Sequence, residues 1–360
     1  MSITPILQFG TSRFLQAHAD LFLSEGPDSL GPVTVVQSSG DAGRRGRLAA
    51  LAAPEGYVVR VQGIEGGKPV SFETRVTSIR RALATTTDWQ EICRIAAEEA
   101  EIILSNTSES GWKPQLADGG TTFDQAMSYP AKLTQLLRCR HAAGGRPLQV
   151  MPTELIARNG DRLRDRVTEL AVALDPALAD WIAHEVRFVN SLVDRIVSAP
   201  LEPAGAVAEP YALWAIEDCP GLLHPCRHPA LKVVADLDRH EKLKLHILNL
   251  GHTWLVADWQ QRGKRETFVR DLMGDAAIRD RLQALYADEV LPGFIARGMA
   301  EAPAYVAATL DRFANPFLDH NLSDIAQNHD EKVRRRIGAF LLWSGTDGPQ
   351  LRALAMMVDP

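Results

Sequence analysis

The chain has 360 residues, with 39 Lys and Arg against 45 Asp and Glu, a formal charge of −6, and 46% hydrophobic and 23% charged residues. Those values exclude a disordered or collagen-like polymer and give no electrostatic basis for a nucleic-acid partner; at about 100–200 residues per domain they leave room for two cored domains. Cys93, Cys139, Cys219 and Cys226 are too sparse for a disulfide scaffold. The opening MSITPILQFG lacks a basic and then apolar leader, and no apolar run nears the roughly 18–20 residues of a membrane span. A reduced, cytoplasmic chain with no membrane partner is expected.

In chain order, the apolar run 5–9 predicts a strand that stops at Gly10. Phe14, Leu15, His18, Leu21 and Phe22 are spaced for one helix face, and 33–36 predicts a second strand that opens into the polar cluster 37–41. Together they make a β-α-β signature. The Val-, Gly- and Thr-rich stretch 56–79 predicts hairpin strands, and 88–100 a helix with Asp88 as N-cap. Strands at 102–104 and 148–151, with a helix over 130–143 between them, continue the alternation that makes a parallel sheet with covered faces. From about Pro229 onward the pattern is helical, with helices expected at 231–261, 266–273, 276–286, 304–313 and 322–342.

Four groups of residues stand out chemically. Gly10-Thr11-Ser12-Arg13-Phe14 lies between strand and helix, where a glycine turn and exposed amides suit a dinucleotide phosphate; an ordinary βα turn is the alternative. After the second strand, Asp41 sits late for a ribose-binding acid, and Arg44, Arg45 and Arg47 suit a 2′-phosphate, so NAD and NADP both stay open. On a regular helix Lys244 and His252 lie about 80° apart and Lys244 and Asn249 about 140° apart, so the three share one broad arc. A lysine there exchanges a proton with an alcohol oxygen, an asparagine amide holds a developing oxyanion, and a histidine orients a hydroxyl, with no metal required. Cys219, His224, Cys226 and His228 form the fourth group, a zinc-ligand set or an incidental loop.

The spacing Lys244-x4-Asn249-x2-His252 resembles the active-site helix of the polyol-specific long-chain dehydrogenases, the mannitol dehydrogenase family. FGTSRFLQAH (9–18) is similar to that family's nucleotide loop, with Ser12 in place of a glycine and Gln16 in place of an arginine. SNTSESG (105–111), SYPAKLTQLL (128–137), PTELIARNG (152–160), VNSLVDRIV (189–197) and RFANPFLDH (312–320) follow in the family's order and are most similar to its tagaturonate reductase (altronate oxidoreductase) branch. The resemblance implies that Lys244 is the general acid/base, that Asn249 polarises the carbonyl with Asn190 sharing the oxyanion, and that His252 contacts a substrate hydroxyl. It places Gly10, Thr11, Ser12, Arg13, Phe14, Asp41, Asn106, Thr107 and Glu109 on the cofactor side, with Glu109 also associated with proton exchange near the lysine. Arg312, Asn315 and His320 fall on the substrate side, and Asp194 and Arg195 are an ion pair or part of the site. Family members run on well past the Arg312 motif, and the shorter chain here bears on substrate identity.

The fold expected is α/β, a Rossmann-type dinucleotide-binding domain over residues 1–225 followed by a mostly α-helical substrate domain over 226–360 that closes on the nicotinamide. The function expected is metal-independent hydride transfer between NAD, or NADP, and a small sugar acid or polyol. The alternatives are a mannitol or polyol-phosphate dehydrogenase, a catalytically silent dinucleotide-binding member of the family, and a zinc-binding interaction module.

Overall fold

The first two apolar runs form β1 (Ile6–Phe9) and β2 (Val33–Gln37), buried at every position as strands covered on both faces must be. The computed structural model describes residues 3–41, 43 and 45–358. The 56–79 stretch folds as β3 (Tyr57–Glu65) and β4 (Lys68–Val76) around Gly66-Gly67, both with positive φ, the conformation that a tight hairpin turn demands. β5 (Ile79–Ala84), β6 (Ile102–Ser105), β7 (Leu148–Pro152) and β8 (Val186–Phe188) follow. β9 (Ser191–Asp194), β10 (Val197–Pro200), β11 (Gly205–Ala208), β12 (Leu213–Glu217) and β13 (Leu231–Val234) come after them.

The main sheet has the order β5-β2-β1-β6-β7-β8, with every neighbouring pair parallel. Counting only its own strands, that is the order 3-2-1-4-5-6 of a doubly wound dinucleotide-binding sheet, and it reverses between β1 and β6. A crevice opens beyond the carboxyl ends of strands at such a reversal, which is where Gly10 and Asn106 lie. The helices Trp89–Glu98, Tyr129–Ala142, Asn159–Leu174 and Pro176–Glu185 supply Ile92, Leu133, Leu136, Val167 and Ile182 to the core against Leu7, Phe9 and Val150.

Contacts divide the chain into two compact units. One comprises Met1–Arg60, Glu73–Ala208 and Ala212–Leu237; the other comprises Val61–Phe72, Glu209–Tyr211 and Asp238–Pro360. The sequence predicts one border, at 225/226. By contacts the last crossing is at 237/238, and the β3–β4 tip and the short 209–211 segment belong with the helical unit. That unit is built around Ile247, Leu250, Leu255, Tyr286, Phe294, Phe313, Ile337 and Phe340.

Several elements differ from the sequence expectation. The helix expected across 14–22 is two helices, Arg13–Gln16 and Ala19–Glu25. His18 takes φ −127°, ψ −98° between them, its ring fixed on the Leu213 carbonyl while Arg195 donates to the Ala17 carbonyl. Asp88 precedes its helix but does not cap it, because its carboxylate accepts the Ala84 N–H at 2.8 Å and the Thr87 hydroxyl at 2.9 Å. Residues 231–234 are strand β13, paired in parallel with β12, so the long helix starts at Asp238. The 322–342 stretch is interrupted at Asn328, which is left-handed (φ +54°). Among the described residues no helix is long and apolar enough to cross a membrane.

Candidate active site

In the first unit, Gly10 leaves β1 with φ +124°, and a Cβ there would lie 2.5 Å from the Asn106 carbonyl oxygen. Only glycine permits the β1 turn to pass this close to the end of β6. Ser12 caps Arg13–Gln16, its hydroxyl accepting the Leu15 N–H at 3.3 Å while its own proton stays available to donate. Gln16 braces the loop by donating to the Thr11 carbonyl (3.1 Å) and accepting from the Gly205 N–H (2.7 Å). Among the described residues the Thr11 and Ser12 amides have no hydrogen-bond partner. Arg13 is exposed, and Phe14 stacks on His18 at 4.8 Å. Bare glycine, open amides and a hydroxyl fit a pyrophosphate, although the helix behind them is only four residues long, so local N–H groups rather than a long dipole do the holding.

At the end of β2, Gln37 stands where a ribose-binding acid is usual and donates to the Asp41 carbonyl at 2.6 Å. Asp41 is exposed and accepts the Gly43 N–H at 2.9 Å. Arg47 pairs with Glu202 at 3.3 Å. Arg44 and the side chain of Arg45 lie outside the described residues.

Sequence reasoning missed Glu154. Buried at the end of β7, it accepts from the Ser105 hydroxyl (3.0 Å), the Thr107 N–H (2.8 Å) and the Thr107 hydroxyl (3.0 Å). Burial pushes its carboxyl up, and these donors oppose the shift. Asn106 donates to the Thr153 carbonyl and hydroxyl. Asn106 and Thr107 thus join the ends of β6 and β7. Glu109 is exposed in the turn that follows. Asn190 accepts from the Asp161 N–H and donates to Asp161 Oδ2 (3.1 Å) and Glu217 Oε2 (2.7 Å), so both its N–H groups rest on carboxylates of the first unit. The signal for these contacts was a cluster of buried polar residues at strand ends, which a one-dimensional spacing argument does not resolve.

In the second unit, Lys244–Asn249 is a turn of wider, i→i+5 helix between Asp238–Leu243 and Leu250–Gln261. Such bulges are frequent at functional sites. The wider turn corrects the angles expected from a regular helix: residues five apart come close to one line, so Lys244 and Asn249 are nearer neighbours than 140° implies. A wide turn also strands carbonyls. Here the Tyr286 hydroxyl donates to the Ile247 carbonyl (2.9 Å), and Arg336 (3.3 Å) and the Thr253 hydroxyl (2.9 Å) donate to that of Asn249. Gly251 makes room, because a Cβ there would fall 1.9 Å from the Tyr286 hydroxyl.

Lys244 and Asn249 are half-buried, and among the described residues the Asn249 carboxamide has no hydrogen-bond partner. His252 is buried, its Nε2 has no partner among the described residues, and its ring meets Phe313 at 4.4 Å and His320 edge-on at 4.6 Å. Burial first, then His320, Arg312, Arg336 and Lys332, hold the His252 imidazole neutral, well below the ordinary histidine range. His320 is lowered to about 4 by burial and then by Arg312. Arg312 is not open to a substrate carboxylate, since its guanidinium is bound bidentately by Glu209 (2.9 and 2.8 Å) and lies on the Tyr211 ring at 4.4 Å. Asn315 donates to the Gln62 carbonyl at 3.2 Å and accepts the Phe317 N–H, which fastens the hairpin tip.

The Cys219–His228 group does not converge on a metal. His228 meets Glu25 at 3.3 Å, accepts the Ala230 N–H and stacks on Phe22 at 4.2 Å. Among the described residues no group of three or more His, Cys, Asp or Glu side chains is placed to hold an ion.

Residues 4–223 match the family model of the mannitol dehydrogenase Rossmann domain, and 236–359 that of the mannitol dehydrogenase C-terminal domain. Altronate oxidoreductase of Halalkalibacterium halodurans is 30% identical over 373 residues, covering 92% of this chain and 69% of that protein. That of Bacillus subtilis is 31% identical over 364 residues, covering 92% and 73%. Among solved structures, a substrate-free D-sorbitol dehydrogenase superposes with TM-score 0.82 at 20% identity, over 99% of this chain and 80% of the other. The Pseudomonas fluorescens mannitol 2-dehydrogenase in ternary complex with NAD and D-mannitol gives 0.73 at 20% identity, over 99% and 79%.

Proposed function

The chain belongs to the mannitol dehydrogenase family, and from that premise we propose that it is a metal-independent, NAD-dependent oxidoreductase acting at a secondary alcohol or keto carbon of a sugar acid or polyol, with altronate and tagaturonate as the first candidate pair. The observation that carries the reading is the 244–252 segment, where a wide turn lines up Lys244 with Asn249, and Asn249 and His252 each keep polar atoms without partners.

The Gly10–Phe14 loop would hold the pyrophosphate on the Thr11 and Ser12 amides, with the ribose near Gln37 and Asp41. A nicotinamide cofactor held there would supply the hydride acceptor in oxidation and the hydride donor in reduction. In reduction Lys244 gives its proton to the carbonyl oxygen while the Asn249 N–H groups hold that oxygen as negative charge develops. His252, kept neutral, presents Nε2 to an adjacent hydroxyl. Arg312 and Asn315 act as braces, the first through Glu209 and the second through Gln62. Asn190, with both N–H groups on carboxylates, braces the 159–161 turn. Four free cysteines fit a reducing compartment such as the cytoplasm.

The test is NADH absorbance against tagaturonate, fructuronate, fructose and fructose 6-phosphate, repeated with NADPH. Lys244→Ala should lower kcat about 10²–10⁴-fold. A loss within about tenfold, about 1.4 kcal/mol of barrier, refutes the assignment of Lys244.

A further inference from the structure

The helices Trp89–Glu98 and Tyr129–Ala142 pack against each other within the first unit. Arg140 ties them, its guanidinium donating to the Ala96 (2.5 Å) and Ala100 (2.8 Å) carbonyls. Beside it the Cys139 and Cys93 thiols, 46 positions apart in the chain, share a hydrogen bond with 2.9 Å between the sulfurs. Both cysteines are half-buried, so a small solute can reach a pair that the packed helices hold together.

Two thiols in contact titrate as a pair. When the first proton leaves, the anion on Cys139 accepts the Cys93 S–H. That bond, aided by the Arg138 guanidinium, holds the Cys139 thiol below the ordinary range against the effect of burial, and the same bond raises Cys93. A thiolate, not a thiol, is the nucleophile. The other two cysteines lack this activation: burial raises Cys219 and pushes Cys226 up to about 11. Joining Cys93 to Cys139 needs the sulfurs to close by under about 1 Å from their present contact.

We propose that Cys93 and Cys139 form a redox-active dithiol that a hydroperoxide, such as hydrogen peroxide, converts into an intramolecular disulfide. The Cys139 thiolate attacks one peroxide oxygen. An S–O bond forms, the O–O bond breaks, and the leaving oxygen takes up the proton that Cys139 released and departs as water. The Cys93 sulfur then attacks the Cys139 sulfur. The S–S bond forms, the S–O bond breaks, and hydroxide leaves as water with the Cys93 proton. The two thiols give up two electrons, and one peroxide becomes two waters. A small dithiol returns the pair to its reduced form by exchange.

The site lies where a cross-link has an effect. Thr85, just ahead of the first helix, donates its N–H to the Gln37 carbonyl (3.0 Å), and Lys132 on the second donates to the Ser38 carbonyl (3.1 Å). Both helices therefore support the loop that follows β2. The segment between the two cysteines carries β6 with Asn106 and Thr107. A disulfide closes that segment into a covalent ring and stabilises it under oxidising conditions, in keeping with the transient disulfides of otherwise reducing compartments.

The experiment treats the reduced full chain with hydrogen peroxide, alkylates the remaining thiols under denaturing conditions, and maps the digest by mass before and after dithiothreitol. Support is the escape of two of the four thiols from alkylation, a Cys93–Cys139 linked peptide that dithiothreitol abolishes, and a melting midpoint at least about 4 °C above that of the reduced protein. In Cys93→Ser, Cys139 should stop at the sulfenic acid and be captured by dimedone; in Cys139→Ser, Cys93 should stay reduced. Four alkylated thiols, a link through Cys219 or Cys226, Cys139 oxidised to sulfinate without a link, or a smaller rise in midpoint overturns the proposal. If either variant fails to fold, the map of the wild-type chain decides alone.

Discussion

Replacing Gly251 by alanine tests whether the wide turn is held open from outside. The new Cβ would stand 1.9 Å from the Tyr286 hydroxyl, 2.9 Å from Phe313 Cε2 and 3.1 Å from Tyr286 Cζ. Tyr286 is 1% exposed and Phe313 2%, so neither can swing into solvent. Overpacking of this kind costs about 1–3 kcal/mol. Pushing the hydroxyl off the Ile247 carbonyl leaves a buried acceptor unmet, at about 1–3 kcal/mol more. Alanine returns about 1 kcal/mol through helix propensity. The net expectation is a loss of about 1–5 kcal/mol, read as a lower denaturant midpoint. Tyr286→Phe separates the two costs, because it removes only the hydroxyl and should lose about 1–3 kcal/mol. Both variants should also lower kcat, because the turn they loosen carries Lys244 and Asn249. A Gly251→Ala protein with wild-type midpoint and kcat would refute the claim that Tyr286 supports the turn.

Burial pushes the Asp20 carboxyl up to about 7 from an unfolded value of 3.8, with the Tyr57 hydroxyl bond at 2.9 Å opposing the shift. Folding therefore takes up a proton between about pH 4 and 7, and this group's contribution to stability falls as pH rises through that window, by a few kcal/mol at most. Asp20→Asn should raise the melting midpoint more at pH 8 than at pH 5; equal shifts at the two pH values would contradict the burial argument. Removing Glu209 takes the bidentate carboxylate from the Arg312 guanidinium, whose side chain is 3% exposed. Glu209→Ala should cost about 3–5 kcal/mol in chemical denaturation, and a cost near zero would mean that the pair is not buried as described.

What was legible in the sequence was whatever the chain encodes locally. β1, β2, β6 and β7 are apolar, β-branched runs that end at glycine or polar clusters, so their place in a parallel sheet could be read from composition and punctuation. The order of the Lys244, Asn249 and His252 positions was visible too, but not their true angular relation, because an i→i+5 turn has no residue signature of its own. Residues 231–234 read as helix since Leu, Val and Val continue an apolar pattern, and only pairing with β12 makes them a strand. Arg312 looked free for a ligand because Glu209 lies 103 positions away. Asn190 looked like an oxyanion donor because Asp161 and Glu217, which take its N–H groups, come from two separate elements.

The hairpin tip at 61–72 has a consequence for synthesis on the ribosome. Its Gln62 carbonyl waits for Asn315, 253 positions later. At about 5–20 residues per second, the delay is roughly 10–50 s. By then all six strands of the parallel sheet have long been translated, while the tip and the 209–211 segment still lack the helices that receive them. A nascent chain paused before residue 312 therefore carries Glu209 without its arginine, and this is the interval in which a chaperone would have most to protect.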